Sequence, residues 1–261
     1  MFNGVGVALV TIFDDRGAVE GAVEGAVDVP ATVGHAKRLV DLGVRAVLVA
    51  GTTGEGELLE DAERLELIGA ASAELEVPVI AGASGTWPGA AARRVRAALS
   101  AGADAVLVHP ARGGVDLHGY FAAVAEAAGG AGRVVGYHNP EPLGVPGIPV
   151  EALPSLPIAA LKDSSGDPNR LLDELTTWNG RTYVGSSAVL SLAGPLGATG
   201  ALLALANAEP RACVRAFDGD ASAQRSLADL HLAVQRGGLG TLKEAVAARF
   251  GTSSRSRLVL S

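Results

Sequence analysis

Eight short apolar runs recur along this chain, and a longer segment with helix-like character separates each run from the next. None of the runs alternates apolar with polar residues, which indicates strands that are buried on both faces. Buried strands of this kind form a parallel sheet that helices cover, because parallel neighbours need a crossover connection. The predicted strands are Val5–Ile12, Ala46–Ala50, Val77–Ala81, Ala105–His109, Val134–Tyr137, Ile158–Lys162, Thr182–Val184 and Gly200–Ala204.

The spacing of these runs favours a closed barrel. Eight strand–helix periods within about 205 residues match an α/β fold of the (β/α)8 TIM barrel type better than a doubly wound sheet. A six-stranded Rossmann-type sheet is the alternative, but no G-x-G-x-x-G pattern follows the first predicted strand. The predicted helices are Thr32–Leu42, Asp61–Leu75, Gly89–Ala101, Leu117–Ala127, Asn169–Trp178 and Ser187–Ala193, with only a short turn near Val150–Leu153 between strands five and six.

The remainder of the chain predicts a short helical appendage. We expect a barrel over residues 1–207 and C-terminal helices packed on it over residues 208–261, with a hinge at Gly237-Gly238. A four-residue unit that recurs in residues 17–29 predicts a surface loop before the first helix. The predicted C-terminal helices are Pro210–Phe217, Ala221–Gln235 and Thr241–Arg249.

Charge and cysteine content exclude several classes of protein. A net charge of −7 and a pI near 5.3 argue against a surface for nucleic acid or anionic membrane, since both need basic patches. The single cysteine, Cys213, predicts a reducing cytoplasm, and no signal peptide is recognisable at the N-terminus. Residues 188–208 are uncharged, but Gly194-Pro195, Gly197 and Gly200 break them into shorter pieces, so we expect no membrane span.

One lysine lies at the end of a predicted strand. The chain has three lysines, and Lys162 is the only one that follows an apolar run, whereas Lys37 and Lys243 fall in predicted helices. In a barrel of this kind the strand ends at one face carry the active site. Burial disfavours the charged form of an amine, and a neutral amine forms a Schiff base with carbonyl carbons. The alternative, an ion pair with Asp163 or another carboxylate, stays open at this point.

Two further strand ends carry groups that suit such chemistry. Tyr137 ends the preceding strand, where its hydroxyl is placed to relay protons; the alternative is a ring that only fills the top of the barrel. Thr52 and Thr53 lie between glycines after strand two, and their hydroxyls and backbone N–H groups suit a substrate carboxylate. The alternative for that turn is an ordinary helix cap made by a threonine or by Glu55. A generic phosphate site at Gly185-Ser186-Ser187 is a further, weaker possibility.

Several segments in order resemble a known family. "GTTGE" at 51–55, "YHNPEPLG" at 137–144 and "ALKDSSG" at 160–166 are similar to signature segments of the dihydrodipicolinate synthase/N-acetylneuraminate lyase family. "VALVTIF", "VPVIAGASG", "GADAVLVHP" and "GLGTLKEAVAARFG" follow in the expected order, so the resemblance covers essentially the whole chain. It implies a class I, Schiff-base, pyruvate-dependent aldolase or lyase on a (β/α)8 barrel.

The resemblance also implies roles for individual residues. Lys162 is the implied Schiff-base lysine, and Tyr137 the implied general acid/base. The Gly51-Thr52-Thr53 turn holds the pyruvate carboxylate, with the Thr52 hydroxyl in the proton relay. Gly185 and Leu202 line the pyruvate pocket. The implied mechanism needs no cofactor, and the five histidines show no metal-ligand spacing with acids or Cys213.

The chain departs from the family where the second substrate binds. Members that make dihydrodipicolinate carry a tyrosine pair after strand four, where this chain has Ala111 and Arg112. They also carry an arginine in the strand-five motif, where this chain has Glu141 and Pro142. An acid and a proline cannot grip a carboxylate as a guanidinium does, which leaves Arg112 as the candidate replacement. His138 replaces a common asparagine and is interpreted as a packed, hydrogen-bonded ring.

Three hypotheses for function follow from these observations. The first is an aldolase or lyase that joins a 2-keto acid to an aldehyde of unknown identity, or releases it. The second is dihydrodipicolinate synthase proper, acting on pyruvate and aspartate semialdehyde. The third is a catalytically degenerate member that only binds a keto acid. For each we expect a small-molecule substrate, no nucleic acid partner and a homodimer or homotetramer in the cytoplasm.

Overall fold

Eight parallel strands close into a barrel in which each strand pairs with the next and the last pairs with the first. The computed structural model describes residues 1–14, 25–113 and 116–257. All eight predicted strands are present, so the predicted (β/α)8 fold is confirmed. The strands are β1 Gly4–Ala8, β2 Val47–Val49, β3 Val79–Gly82, β4 Ala105–Val108, β5 Val134–His138, β6 Ala160–Asp163, β7 Arg181–Val184 and β8 Gly200–Leu203.

Helices follow each of the strands. Over the described residues they are α1 Val29–Asp41, α2 Asp61–Glu74, α3 Pro88–Ser100, α4 Leu117–Ala127, α5 Pro140–Leu143, α6 Pro168–Thr177, α7 Leu190–Ala193, α8 Pro210–Phe217, α9 Ala221–Ser226 and α10 Ala228–Phe250, with short 3-10 turns at Ala131–Arg133, Val150–Ser155, Ser187–Val189 and Leu205–Asn207.

Two predicted connections differ from the structure. The link between β5 and β6 holds α5 as well as the 3-10 turn at Val150–Ser155, because Pro140 starts a helical turn and Gly144, at φ 60°, ends it. The predicted helix Ser187–Ala193 is a 3-10 turn followed by α7. The single residue that breaks it, Val189, has φ −118° and ψ 15°, outside the helical region.

Side chains on the strands alternate between the barrel interior and the surrounding helices. On β6, Ala160 belongs to the interior cluster and Leu161 to the outer one that packs against the helices. The period of two therefore directs Lys162 inward, on the same face as Ala160, and Asp163 outward. Tyr137 on β5 belongs to the same interior cluster. The barrel thus brings the two predicted catalytic residues to one face.

The C-terminal helices pack near the carboxyl end of β1. Val10, Ala208, Leu242 and Val246 form a buried cluster there. The predicted helix Ala221–Gln235 is interrupted at Leu227, and α10 continues past the predicted hinge to Phe250, enclosing the predicted helix Thr241–Arg249. Within α10, Gly238 has φ 64° and ψ −151°, a conformation that side chains rarely adopt, which confirms a kink at the predicted hinge. The domain boundary at 207/208 stays a prediction.

Two further predictions concern the periphery of the chain. The repeat at 17–29 lies largely in residues 15–24, outside the described ranges. Among the helices that are described, none is both long enough and apolar enough to cross a bilayer. The uncharged stretch 188–208 contains α7 and β8.

Candidate active site

Lys162 lies at the carboxyl end of β6, beside Tyr137 on β5. The two residues are register partners, and the Lys162 Nζ lies 4.4 Å from the centroid of the Tyr137 ring. Lys162 is 5% exposed and Tyr137 6% exposed. An ammonium on an aromatic face is attracted by the negative face of the ring. The Tyr137 hydroxyl accepts a hydrogen bond from Asn139 Nδ2 at 2.9 Å, which orients the phenol.

The Lys162 amine has no carboxylate partner in the part of the chain that the structure describes. Its neighbour Asp163 faces α6, where Arg170 Nε lies 3.5 Å from Asp163 Oδ1. The Asp163 carboxylate also accepts hydrogen bonds from Ser165, from the backbone N at 3.0 Å and from Oγ at 2.7 Å. The alternative that Lys162 pairs with Asp163 is therefore wrong, because the two side chains leave the strand on opposite faces.

Gly185, directly after β7, lies against the stem of Lys162. A Cβ atom at position 185 would lie 3.0 Å from Lys162 Cε and 1.9 Å from Ser164 Oγ. The Gly185 backbone N–H donates to the Asp163 carbonyl at 2.6 Å, which holds the ends of β6 and β7 together. Leu202 is fully buried in the interior cluster of the barrel. Both predicted pocket residues thus lie on the barrel interior, and Gly185 contacts Lys162 directly.

The turn after β2 is held in a strained conformation. Ala50 and Glu55, at its two ends, have φ values of 51° and 54°, and no other non-glycine residue of the described ranges has positive φ. Such strain persists only where the surroundings fix the backbone, and it clusters at functional sites. Thr11 Oγ1 donates to the Gly54 carbonyl at 2.6 Å and anchors the turn to the segment that follows β1.

The predicted carboxylate-binding groups lie between these two strained residues. Thr52 is exposed and Thr53 half-buried. Within the described ranges, neither backbone N–H donates to another residue of the chain, while the following N–H groups bond back to the Gly51 and Thr52 carbonyls. Free N–H groups in a tight turn suit an anion. The arrangement is compatible with the predicted carboxylate site.

A cavity of about 180 Å³ opens at this end of the barrel. Three of the predicted site residues line it, namely Gly51, Thr52 and Tyr137. Lys162 does not line the cavity and is linked to it only through its contact with Tyr137. Thr53, Gly185 and Leu202 do not line it either. The rest of the wall includes the apolar side chains Leu58, Leu107, Leu143 and Leu239, the arginines Arg64 and Arg94, the carboxylates Glu55 and Glu57, and His109, whose pKa is lowered by burial.

Sequence reasoning missed the two arginines in the wall of the cavity, Arg64 and Arg94. Arg64 on α2 is 5% exposed, and its guanidinium donates to the carbonyls of Gly56 and of Gly82, the latter at 3.4 Å. Burial lowers the pKa of Arg64, and the nearby charge of Arg94 lowers it further. A single arginine in an amphipathic helix normally reaches solvent, so no local pattern singles it out. Its place in the wall depends on how α2 packs on the barrel.

The candidate replacement cation, Arg112, lies beside this cavity and not in its wall. Its side chain is 58% exposed; Nε donates to the Leu143 carbonyl at 3.1 Å, and the guanidinium lies 3.5 Å from Glu57. It lines an adjoining cavity of about 220 Å³, together with Glu57, Arg94 and His109. Glu141 and Pro142 are exposed and line neither cavity.

His138 is packed, as predicted. Its Nδ1 accepts a hydrogen bond from the Ile148 backbone N at 2.9 Å, and a Cβ on Gly147 would lie 2.8 Å from its Cε1. Burial lowers the pKa of His138, and the charge of Arg170 lowers it further. The ring therefore serves the packing of the β5–β6 connection.

A second buried lysine supports the turn after β2. Lys243 on α10 is 1% exposed, and its Nζ bonds to the Glu55 carboxylate and, at 2.7 Å, to the Arg255 carbonyl. The Glu55 carboxylate also accepts from Ser256 Oγ and from the Arg257 backbone N, each at 2.7 Å. Lys243 lies in a helix, as predicted, but on its buried face and bound to the Glu55 carboxylate. Leu242 and Val246, apolar residues on the same buried face of α10, were the sequence signal that could have predicted this burial.

Metal-ligand and cysteine chemistry contribute little to this region. Over the described residues, no group of three or more His, Cys, Asp or Glu side chains is placed to hold a metal ion. Cys213 is a buried free thiol on α8, and burial raises its pKa.

Comparison with known proteins agrees with this geometry. The profile of the dihydrodipicolinate synthetase family matches residues 1–234. A 4-hydroxy-tetrahydrodipicolinate synthase from Corynebacterium aurimucosum is 33% identical over 257 residues, which cover 93% of this chain and 76% of that protein. An uncharacterised DapA-like lyase from Chloroflexus aurantiacus is 35% identical over 202 residues, covering 71% of this chain and 66% of that protein.

Solved structures share the fold over nearly the whole chain. Dihydrodipicolinate synthase from Agrobacterium tumefaciens superposes with a TM-score of 0.85 at 26% identity, covering 98% of this chain and 91% of the other. YagE from E. coli K12, a prophage protein of the dihydrodipicolinic acid synthase family crystallised with pyruvate, gives 0.86 at 23% identity over 98% and 91% of the two chains. At that lower identity the likeness concerns the fold alone.

Proposed function

Because the chain belongs to the dihydrodipicolinate synthetase family of carbon–carbon lyases and synthases, we propose that it is a class I aldolase that forms a Schiff base between Lys162 and a 2-keto acid, pyruvate in the first instance. One observation carries the proposal. The Lys162 amine is 5% exposed inside the barrel and has no carboxylate partner in the described ranges. A lysine is almost never buried without a partner, so its retention here points to chemistry.

The proposed reaction begins with attack of the Lys162 nitrogen on the C2 carbonyl of pyruvate. The carbinolamine loses water to give an iminium, which acts as an electron sink, and loss of a proton from C3 gives an enamine. The enamine carbon bonds to the aldehyde carbon, and the aldehyde oxygen takes up a proton. Water then hydrolyses the iminium, releases the product and restores the amine. The lyase direction is the same sequence in reverse.

Residues around the amine have assigned roles in this scheme. Tyr137, oriented by Asn139, carries the proton between the carbinolamine and the aldehyde oxygen, and the Thr52 hydroxyl extends the relay. The backbone N–H groups of Thr52 and Thr53 bind the pyruvate carboxylate. Because the Tyr137 ring contacts the amine and lines the cavity, we expect the ring to shift when pyruvate enters.

Borohydride reduction in the presence of pyruvate tests the proposal. We expect one pyruvyl adduct, located by peptide mass spectrometry on Lys162. Lys162→Met should lose the adduct. Lys37→Met is the matched control, because Lys37 lies on the surface of α1, and it should keep the adduct. A well-folded wild type without an adduct at Lys162 contradicts the mechanism.

Dihydrodipicolinate synthase proper is the second candidate, favoured by the function of the curated relative at 33% identity. In this version Arg112 takes over the grip on the acceptor carboxylate, which requires it to leave Leu143 and Glu57. Coupled turnover of pyruvate with aspartate semialdehyde decides between the two. Adduct formation without any product across an aldehyde panel favours a keto-acid-binding protein without turnover. Assembly as a homodimer or homotetramer and a cytoplasmic location belong to the same proposal, and light scattering measures the assembly.

A further inference from the structure

The wall of the cavity contains a buried guanidinium that forms no ion pair within the described ranges. Arg64 is 5% exposed, yet in the described part of the chain it has no carboxylate within ion-pair distance. Its partners are the carbonyls of Gly56 and Gly82, and its Nε is buried without a hydrogen-bond partner. Carbonyls satisfy N–H donors but do not cancel a unit charge, and a buried cation is costly without an anion.

The acids near Arg64 form no ion pair with it within the described ranges, although the charges of Asp61 and Glu57 favour its charged form from a longer distance. Glu55 is bound by Lys243, and Glu57, which is 61% exposed, faces Arg112 at 3.5 Å and His109 at 3.9 Å. A second cation, Arg94 on α3, lines the same cavity and donates to the Ser84 carbonyl at 2.7 Å. Two guanidinium groups therefore share this wall, and each raises the electrostatic cost of the other.

The same cavity contains residues of the proposed reactive site. Tyr137 and Thr52 line it, together with apolar side chains such as Leu107 and Leu143. Leu239, which follows the kink of α10 at Gly238, also lines it. The cavity thus suits a small molecule that carries both a carbonyl and an oxyanion.

We propose that the cavity binds the acceptor aldehyde through an anionic group, a carboxylate or a phosphate, held by Arg64 and Arg94. This assignment rests on the proposed Schiff-base function and supplies the acceptor site that Glu141 and Pro142 cannot. The oxyanion neutralises the buried guanidinium and accepts its unused donors, and planar guanidinium groups match both carboxylate and phosphate geometry. The carbonyl end is then directed toward Tyr137 and the enamine.

The test compares matched aldehydes on the intact protein with pyruvate. Succinic semialdehyde and glyoxylate carry a carboxylate, glyceraldehyde 3-phosphate carries a phosphate, and butanal and glyceraldehyde are neutral. We expect the wild type to favour at least one anionic aldehyde, and the preferred anion distinguishes carboxylate from phosphate. Arg64→Met and Arg94→Met should lower kcat/KM for that aldehyde by about tenfold to a hundredfold, since each removes a charge-assisted hydrogen bond. Their kcat/KM for neutral aldehydes should change less than about threefold.

Two controls separate this proposal from the function on which it rests. Arg93→Met removes an arginine of α3 that stacks on Trp87, 5.2 Å from the ring centroid, outside this cavity, and should leave the anion preference intact. Arg94 is only half-buried, so Arg94→Met provides a variant that folds if Arg64→Met does not. Three results overturn the anion site while adduct formation on Lys162 still supports the Schiff base. They are no preference for anionic aldehydes, no turnover of any aldehyde, and a preference that both variants retain. Absence of the adduct refutes the proposed function itself.

Discussion

Replacing Lys243 by methionine tests whether the buried ion pair holds the turn after β2. Lys243 and Glu55 are each 1% exposed in their side chains, and they join residues 188 positions apart. Methionine has nearly the same length, so Lys243→Met removes the charge with little change in volume. The Glu55 carboxylate then loses its ion pair with Lys243.

The expected loss follows from the surroundings of that carboxylate. Breaking a buried pair by removing one partner costs about 3–5 kcal/mol, because the remaining charge is uncompensated. Glu55 keeps the hydrogen bonds from Ser256 Oγ and the Arg257 backbone N, which places the expected loss at the lower end, about 3 kcal/mol. Since a domain has only about 5–15 kcal/mol in total, this is a large fraction of its stability.

Urea unfolding of three proteins measures the effect. Lys37→Met is the matched control, because Lys37 pairs with Glu74 on the surface with both side chains about half exposed, and such pairs contribute less than about 1 kcal/mol. The double variant Lys243→Met/Glu55→Gln should recover part of the loss, since it also removes the buried carboxylate charge. We further expect weaker pyruvate binding in Lys243→Met, because Glu55 ends the strained turn that carries Thr52 and Thr53.

The reasoning is refuted if the free energy of unfolding of Lys243→Met lies within about 1 kcal/mol of the wild-type value. It is also refuted if Lys243→Met and Lys37→Met lose the same amount. In that case the Glu55 carboxylate is held without Lys243, with the hydrogen bonds from Ser256 and Arg257 among its remaining contacts. A full loss that the double variant does not reduce also contradicts it. That result assigns the effect to packing around Lys243 and not to charge.

Two predictions concern pH. Burial lowers the pKa of His35 on α1 from 6.5 to about 4, so the unfolded chain binds that proton more tightly than the folded chain does. The free energy of unfolding therefore falls as the pH drops from about 6.5 to 4, by about 3 kcal/mol from this group. His35→Leu should lose this acid-sensitive part in urea unfolding at pH 7 and 4.5, and an unchanged pH dependence contradicts the assignment. Burial and the charge of Asp163 raise the pKa of Glu174 on α6 to about 8, so the folded chain binds that proton more tightly and stability falls as the pH rises from about 4.5 to 8. Glu174→Gln should therefore be more stable than the wild type at pH 9 and similar at pH 5, and equal stability at pH 9 counts against a buried Glu174.

The barrel and its reactive face follow from the sequence alone. Eight wholly apolar runs at regular spacing predict eight buried parallel strands, and all eight are present with ends shifted by a few residues. Lys162 and Tyr137 end adjacent strands, so their meeting needs only the order of the strands and the alternation of side chains. The alternation of side chains along a strand and the position of a strand end depend on neighbouring residues, so both can be predicted from the sequence.

The proposed anion site and the support of the β2 turn depend on the tertiary structure. Arg64 and Arg94 belong to two different helices, and each reads as an ordinary surface arginine until the helices pack against the barrel. Lys243 meets Glu55 only because α10 folds back over the strand ends. Burial of a charge is set by what packs on it from distant parts of the chain. The sequence therefore determined where the proposed Schiff-base lysine lies, and the packing of helices decided which charges surround it.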